Sequence, residues 1–138
     1  MRRVFADTHY WIAIIVADDP WRRLAFEARR RLGRVQLVTT DAILTEFLGA
    51  VGKSAFSRTM ATTFVKEMLS AAGVDIIPDS RELFLEALDL YASRLDKTYS
   101  LVDCISMCLM RSLDINDVLT NDHHFAQEGF NVLIRLKS

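Results

Sequence analysis

Cysteine and proline are scarce in this chain, two of each among 138 residues, and glycine occurs only five times. The cysteines, Cys104 and Cys108, are one helical turn apart. That spacing puts both thiols on one helix face and suits a disulfide poorly. With no disulfide framework, the chain must be held by its own core, and a reducing, cytoplasmic setting is expected. So little proline and glycine, with no polar tract, excludes a disordered linker. No internal repeat is visible. Long apolar runs are missing too. The longest clean one, Trp11 to Ala17, is too short to cross a bilayer, so no membrane role is expected. Arg2 and Arg3 precede apolar residues as in an export signal, but Asp7 and His9 interrupt them. Asp18 and Asp19 then stand where small cleavage-site residues belong, so export is not expected.

An excess of either charge is also lacking. The net charge is −1, so overall charge does not announce a nucleic-acid binder. The distribution is less even. The stretch WRRLAFEARRRLGR holds Arg22, Arg23, Arg29, Arg30, Arg31 and Arg34 against the single acid Glu27. Arg22, Arg23, Arg29 and Arg30 are candidates for contact with phosphates or an acidic partner. The simpler reading is a solvated helix face with arginine stems lying on apolar neighbours.

What is present is an ordinary globular balance, 51% hydrophobic and 25% charged, of a length that fits one domain spanning 1–138. Short apolar segments alternate with helical periodicity. RVFAD, QLVTT, VDIIP, DVLTN and NVLIRL read as strands. Helices are expected over Thr8–Ala17, Pro20–Gly33, Asp41–Val51, Ser54–Ala72, Ser80–Leu95, Leu101–Leu113 and His123–Gln127. The alternation predicts an α/β fold with a central parallel sheet of about five short strands, covered on both faces. Ligands of such sheets bind beyond the carboxyl ends of the strands.

Four acids fall near that edge: Asp7, Glu46, Asp103 and Asp122. Each of the three aspartates has a bland reading. Asp7 and Asp122 fit helix N-caps, and Asp103 completes a capping box with Ser100. Glu46 resists such a reading, because Ala42, Ile43, Gly49 and Ala50 are its helical neighbours and none is basic. An unpaired carboxylate on that apolar face is expected to need a cation, a donor or water. Two carboxylates about 4 Å apart repel by roughly 4 kcal/mol at an effective dielectric near 20, and a divalent cation reverses that sign. Hard oxygen donors without thiolate favour Mg²⁺ or Mn²⁺ over Zn²⁺. A zinc site from His123, His124, Cys104 and Cys108 is disfavoured, since the cysteines lie on an apolar helix.

The segments FADTHYWIA, TTDAILTEFL, YSLVDCISMCLM and VLTNDHHFAQEGF together resemble the PIN domain, and within it the VapC-type toxins of toxin–antitoxin pairs. The resemblance covers essentially the whole chain. It implies a three-layer α/β/α sandwich and a Mg²⁺- or Mn²⁺-dependent endoribonuclease that hydrolyses RNA with a metal-activated water. On that reading Asp7 and Asp103 bind the cation most directly, and Glu46 and Asp122 complete the cluster directly or through water. Thr120 falls on the family's hydroxyl position and Thr8 sits beside the first acid, both as supporting residues. His9 stands where many members carry a small polar residue. The histidines His9, His123 and His124 are expected to make surface hydrogen bonds or phosphate contacts rather than act as bases. The resemblance also implies a small cognate antitoxin lying in a groove between helices, and a homodimer. Trp11, Trp21, Phe47 and Phe56 either line such a groove or, for most of them, belong to the core. Two rivals remain. A non-catalytic RNA-binding or scaffold module would keep the fold without the reaction. An aspartyl-phosphate phosphotransfer domain fits poorly, because His9 occupies the place of its second acid, although Asp79 lies near the third strand.

Overall fold

The computed structural model describes residues 1–136. The last two residues of the expected domain lie outside them. Short strands alternate with helices throughout: β1 (Arg3–Ala6), α1 (Thr8–Ile15), α2 (Arg22–Leu32), β2 (Gln36–Thr40), α3 (Asp41–Val51) and α4 (Ala55–Ser70). There follow β3 (Val74–Ile77), α5 (Arg81–Ser93), α6 (Leu101–Ser112), β4 (Asp117–Leu119), α7 (His124–Gln127) and β5 (Asn131–Val132).

The five strands form one sheet in the order β3-β2-β1-β4-β5. All pairs are parallel, with Phe5 level with Val38 on one side and Val118 on the other. Winding moves outward from β1 to β2 and β3, then jumps back across the sheet to β4 and β5. Right-handed crossovers therefore send α1–α4 to one face and α5–α7 to the other. The packing agrees: α1 contacts α2 and α3, α3 contacts α4, and α5 lies along α6. The expected three-layer α/β/α sandwich is the observed one.

Central position explains the composition of β1. Val4, Phe5 and Ala6 are fully buried, as are Val118 and Leu119 beside them. Burying a side chain such as Phe5 contributes about 2 kcal/mol. Hydroxyls inside the sheet layer are satisfied locally: Thr39 donates to the Ala6 carbonyl (2.9 Å) and accepts from Trp11 Nε1 (3.4 Å). Trp11 and Phe47 are core residues, Trp21 packs half-buried against the core, and Phe56 is exposed. Helix α6 turns Cys104, Ser106, Met107, Leu109 and Met110 inward.

Serines set several helix starts. Ser54 and Ser100 close capping boxes with Ser57 and Asp103, and Ser80 accepts from the Leu83 amide. The ends differ from expectation. Helix α1 stops at Ile15, and α2 begins at Arg22 rather than at Pro20. The terminal strand is confined to Asn131–Val132, which pair with Asp117 and Val118 of β4. Leu133 and Ile134 still donate to Val118 and Thr120 carbonyls beyond the ladder.

Candidate active site

The direction of winding reverses between β1 and β4, and their carboxyl ends open into a cleft of about 630 Å³. Such a switch point is where open α/β sheets hold their ligands. Asp7, Glu46, Asp103 and Asp122 all line this cleft, together with Thr8, His9, Ser100 and His124. The structure thus gathers the four acids singled out in the sequence.

Asp7 directly follows β1, where its amide donates to the Leu119 carbonyl (3.2 Å) and stitches β1 to β4. It occupies the N-cap position of α1 but makes no side-chain cap bond. Its carboxylate instead accepts from Thr120 Oγ1 at 2.8 Å. Burial pushes the Asp7 carboxyl up to about 7; the Thr120 hydrogen bond opposes this, and the Asp103 and Glu46 charges add to it. Thr120 is fully buried, and its oxygen also accepts from the Asp122 amide (3.1 Å). One hydroxyl therefore couples the first acid to the backbone of the fourth.

Glu46 stands on α3 and is exposed, so the carboxylate that the sequence expects to need a cation, a donor or water has access to solvent and to a donor. The outer side of α3 faces the open cleft, so water solvates the carboxylate there. Its partner is the Thr8 hydroxyl, which donates to Oε1. Asp103 is a capping-box residue, as its S-x-x-D spacing predicts: Oδ2 accepts from the Ser100 amide at 3.0 Å. Burial raises its pKa; the Ser100 amide opposes the shift and the Asp122 charge reinforces it. The capping role and a place in the cleft are compatible, since the box fixes where α6 begins. Asp122 accepts from the His124 amide (2.9 Å), a turn that starts α7.

Three histidines behave differently. His123 is exposed. His9 lines the cleft edge-on to Trp21 (5.6 Å), with both ring nitrogens buried and lacking hydrogen bonds. Burial lowers its pKa, with the Asp19 and Asp122 charges opposing. His124, expected at the surface, turns inward. Its Nδ1 lies 3.0 Å from Asp122 Oδ1 and 3.8 Å from Asp103 Oδ2. Sequence spacing carried no signal for this, because the aim of the ring depends on how α7 docks.

The arginines are not brought into the cleft. Arg22, Arg23 and Arg30 line a separate groove on α2 with Phe26. Arg22 donates to the Ile14 carbonyl (2.6 Å), Arg23 pairs with Glu27 (3.0 Å), and Arg29 donates to the Gly33 carbonyl (2.8 Å). Cys104 is buried and Cys108 half-buried, both as free thiols, and desolvation holds the Cys104 thiol up at about 11. Among the described residues, neither belongs to the group of converging ligand atoms at the acidic edge. Asp79 lies beyond β3, in an apolar groove of about 660 Å³ bordered by Leu83, Phe84, Val102 and Ile105. Glu46 borders that groove as well as the acidic cleft.

The family model of the PIN domain matches residues 4–131. The chain belongs to the PIN-domain family. Among solved structures, this PIN domain is similar to VapC20 of Mycobacterium tuberculosis, described as a toxin that cleaves the sarcin–ricin loop. That match has a TM-score of 0.83 and 21% identity, covering 92% of this chain and 95% of the other. It is also similar to VapBC2 of Rickettsia felis, solved bound to a DNA fragment from its promoter. There the TM-score is 0.64 and the identity 14%, covering 94% and 96% of the two chains. No curated protein matches the sequence. At these identities the two structures speak for the fold.

The donor set fits a divalent cation. Ligand atoms of Asp103, Asp122 and His124 lie within 4.8 Å of one another. The buried His124 Nδ1 has no hydrogen bond in this arrangement. Two carboxylates and an imidazole nitrogen that converge with no hydrogen bond at that nitrogen are an arrangement that a cation resolves. Asp7 and Glu46 stand outside this tight group but border the same cleft.

Proposed function

We propose that this PIN domain is a Mg²⁺- or Mn²⁺-dependent endoribonuclease and the toxin of a type II toxin–antitoxin pair. The observation that carries the reading is the convergence of Asp7, Glu46, Asp103 and Asp122 on one cleft at the switch point of the sheet. Family membership supports it, and both similar structures belong to VapC or VapBC proteins.

The residues divide the work. Asp7 and Asp103 hold the cation most directly, with Asp122 completing the set. Thr120 fixes Asp7 by one oxygen and keeps it against the end of β4. Glu46, solvated and oriented by Thr8, takes the proton of the attacking water. A cation held there supplies the positive charge that a scissile phosphate needs beside four carboxylates. In-line hydrolysis then leaves a 5′-phosphate and a 3′-hydroxyl.

RNA is the substrate in this reading, with a small cognate antitoxin and a second copy of the chain as partners, in the cytoplasm. The arginine face of α2 is proposed as a contact for RNA or antitoxin outside the cleft. An antitoxin side chain of positive charge entering the acids would compete with the cation. The test is cleavage of RNA by purified protein with Mg²⁺ or Mn²⁺, against EDTA, with the new ends mapped. Asp7→Ala and Asp103→Asn are expected to abolish cleavage while circular dichroism stays native. Undiminished cleavage by both variants overturns the assignment, and metal-dependent RNA binding without cleavage favours the scaffold rival.

A further inference from the structure

An imidazole stands inside the acidic edge, and its geometry is specified from several sides. His124 is the first residue of α7, and the next residue, Phe125, is fully buried and anchors that short helix. The His124 amide is held by Asp122 Oδ1 at 2.9 Å. Its ring packs edge-on against Tyr99, with centroids 5.4 Å apart. Nε2 lies 2.9 Å from the Thr98 hydroxyl. Nδ1 is buried, has no hydrogen bond and faces Asp122 and Asp103 at 3.0 and 3.8 Å.

The Thr98 hydroxyl is able to accept from Nε2–H, and in that tautomer Nδ1 carries a lone pair. A lone pair facing two carboxylates is repulsive until a metal cation or a proton lies among them, and the three groups converge as metal ligands do. A hydrogen bond at the far ring nitrogen is also the usual support of a metal-bound histidine. We propose that His124 Nδ1 is a nitrogen ligand of the divalent cation, beside Asp103 and Asp122, and that it biases the site toward Mn²⁺ over Mg²⁺. The bias follows from chemistry. Carboxylate oxygens serve either ion, whereas Mn²⁺ accepts an imidazole nitrogen more readily than the harder Mg²⁺, although less readily than the later first-row cations. The inference rests on the proposed cation site and extends it by naming a nitrogen donor and an ion preference.

The experiment reads binding of Mn²⁺ alone to the full-length protein, without RNA. Pulsed electron paramagnetic resonance of the Mn²⁺-loaded wild type should show coupling to a nitrogen. Labelling histidine with ¹⁵N should change that coupling, which needs no variant. His124→Gln should remove it, whereas His123→Gln should retain it. Titration should show Mn²⁺ affinity falling roughly tenfold in His124→Gln, the scale set by losing one metal-supporting group. Mg²⁺ affinity should change much less. Thr98→Val, which frees the ring, should weaken Mn²⁺ in the same direction. Mn²⁺ bound to wild type without nitrogen coupling overturns His124 ligation and leaves the carboxylate site standing. A Mn²⁺-to-Mg²⁺ preference unchanged in a folded His124→Gln also overturns it. No Mn²⁺ binding at all overturns both this inference and the cation site beneath it.

Discussion

Glu128→Gln should destabilise the protein by about 2 kcal/mol near neutral pH, and acid should erase the difference. The Glu128 side chain is only 6% exposed and is met by three donors. Arg94 donates at 2.6 and 3.4 Å, Arg111 at 2.6 Å and the Tyr99 hydroxyl at 3.1 Å. The Arg94 hydrogen bond is the largest cause that pulls the Glu128 carboxyl from 4.5 down to about 2, with burial opposing. Taken at face value, that drop is worth roughly 3.4 kcal/mol at 1.36 per pH unit. The Arg94 and Arg111 side chains are 37% and 46% exposed, so solvent screening reduces it toward about 2 kcal/mol. A depressed carboxylate stabilises the fold above its unfolded pKa. That stability drains away as pH falls from about 4.5 toward about 2. The glutamine isostere keeps the packing and removes the charge. Urea unfolding of wild type and variant across this range should show the gap shrinking to less than half by about pH 3. A gap that stays constant, or widens on acidification, refutes the argument. The same cluster binds the end of α5, the approach to α6 and the end of α7, so it also braces the segments that carry Asp103 and His124.

Two further outcomes follow from the cleft itself. Burial disfavours ionised Asp7, so its cost to the metal-free fold is absent below about 3.8 and grows until the pH passes about 7. Asp7→Asn should therefore raise the stability of metal-free protein by about 1–4 kcal/mol at pH 8 and hardly at all near pH 4; equal melting shifts at both pH values would contradict this. Thr8→Val removes the donor to Glu46 and should lower kcat roughly tenfold with little change in KM, the scale of one lost hydrogen bond to a charged group; an unchanged kcat would remove Thr8 from the machinery.

Much of this architecture is legible in the order of apolar segments. Strands such as VFA are short and apolar because both faces are covered, and serines at Ser54, Ser80 and Ser100 mark helix starts directly. The acids are legible because carboxylates in apolar stretches at strand ends have few other uses. Illegible features depend on tertiary docking. Glu46 lies on an apolar helix, and nothing local says that its side of α3 faces an open cleft. His124 aims inward only because Phe125 seats α7. Glu128 lies within a motif segment, yet its role requires Arg94 from the end of α5 and Arg111 from α6. The terminal strand reads as six residues, but its ladder with β4 involves only two of them.

The Thr120–Asp7 hydrogen bond spans 113 positions of sequence. Closing a loop of that length costs chain entropy before the contact repays it, so contacts of this kind slow folding. A chain emerging from the ribosome displays Asp7, Glu46 and Asp103 in turn, but Thr120 and Asp122 come last. Until β4 docks beside β1, Asp7 has neither its hydroxyl partner nor a neighbouring strand end. On the proposed reading, the acidic site is assembled only once β4 has docked beside β1.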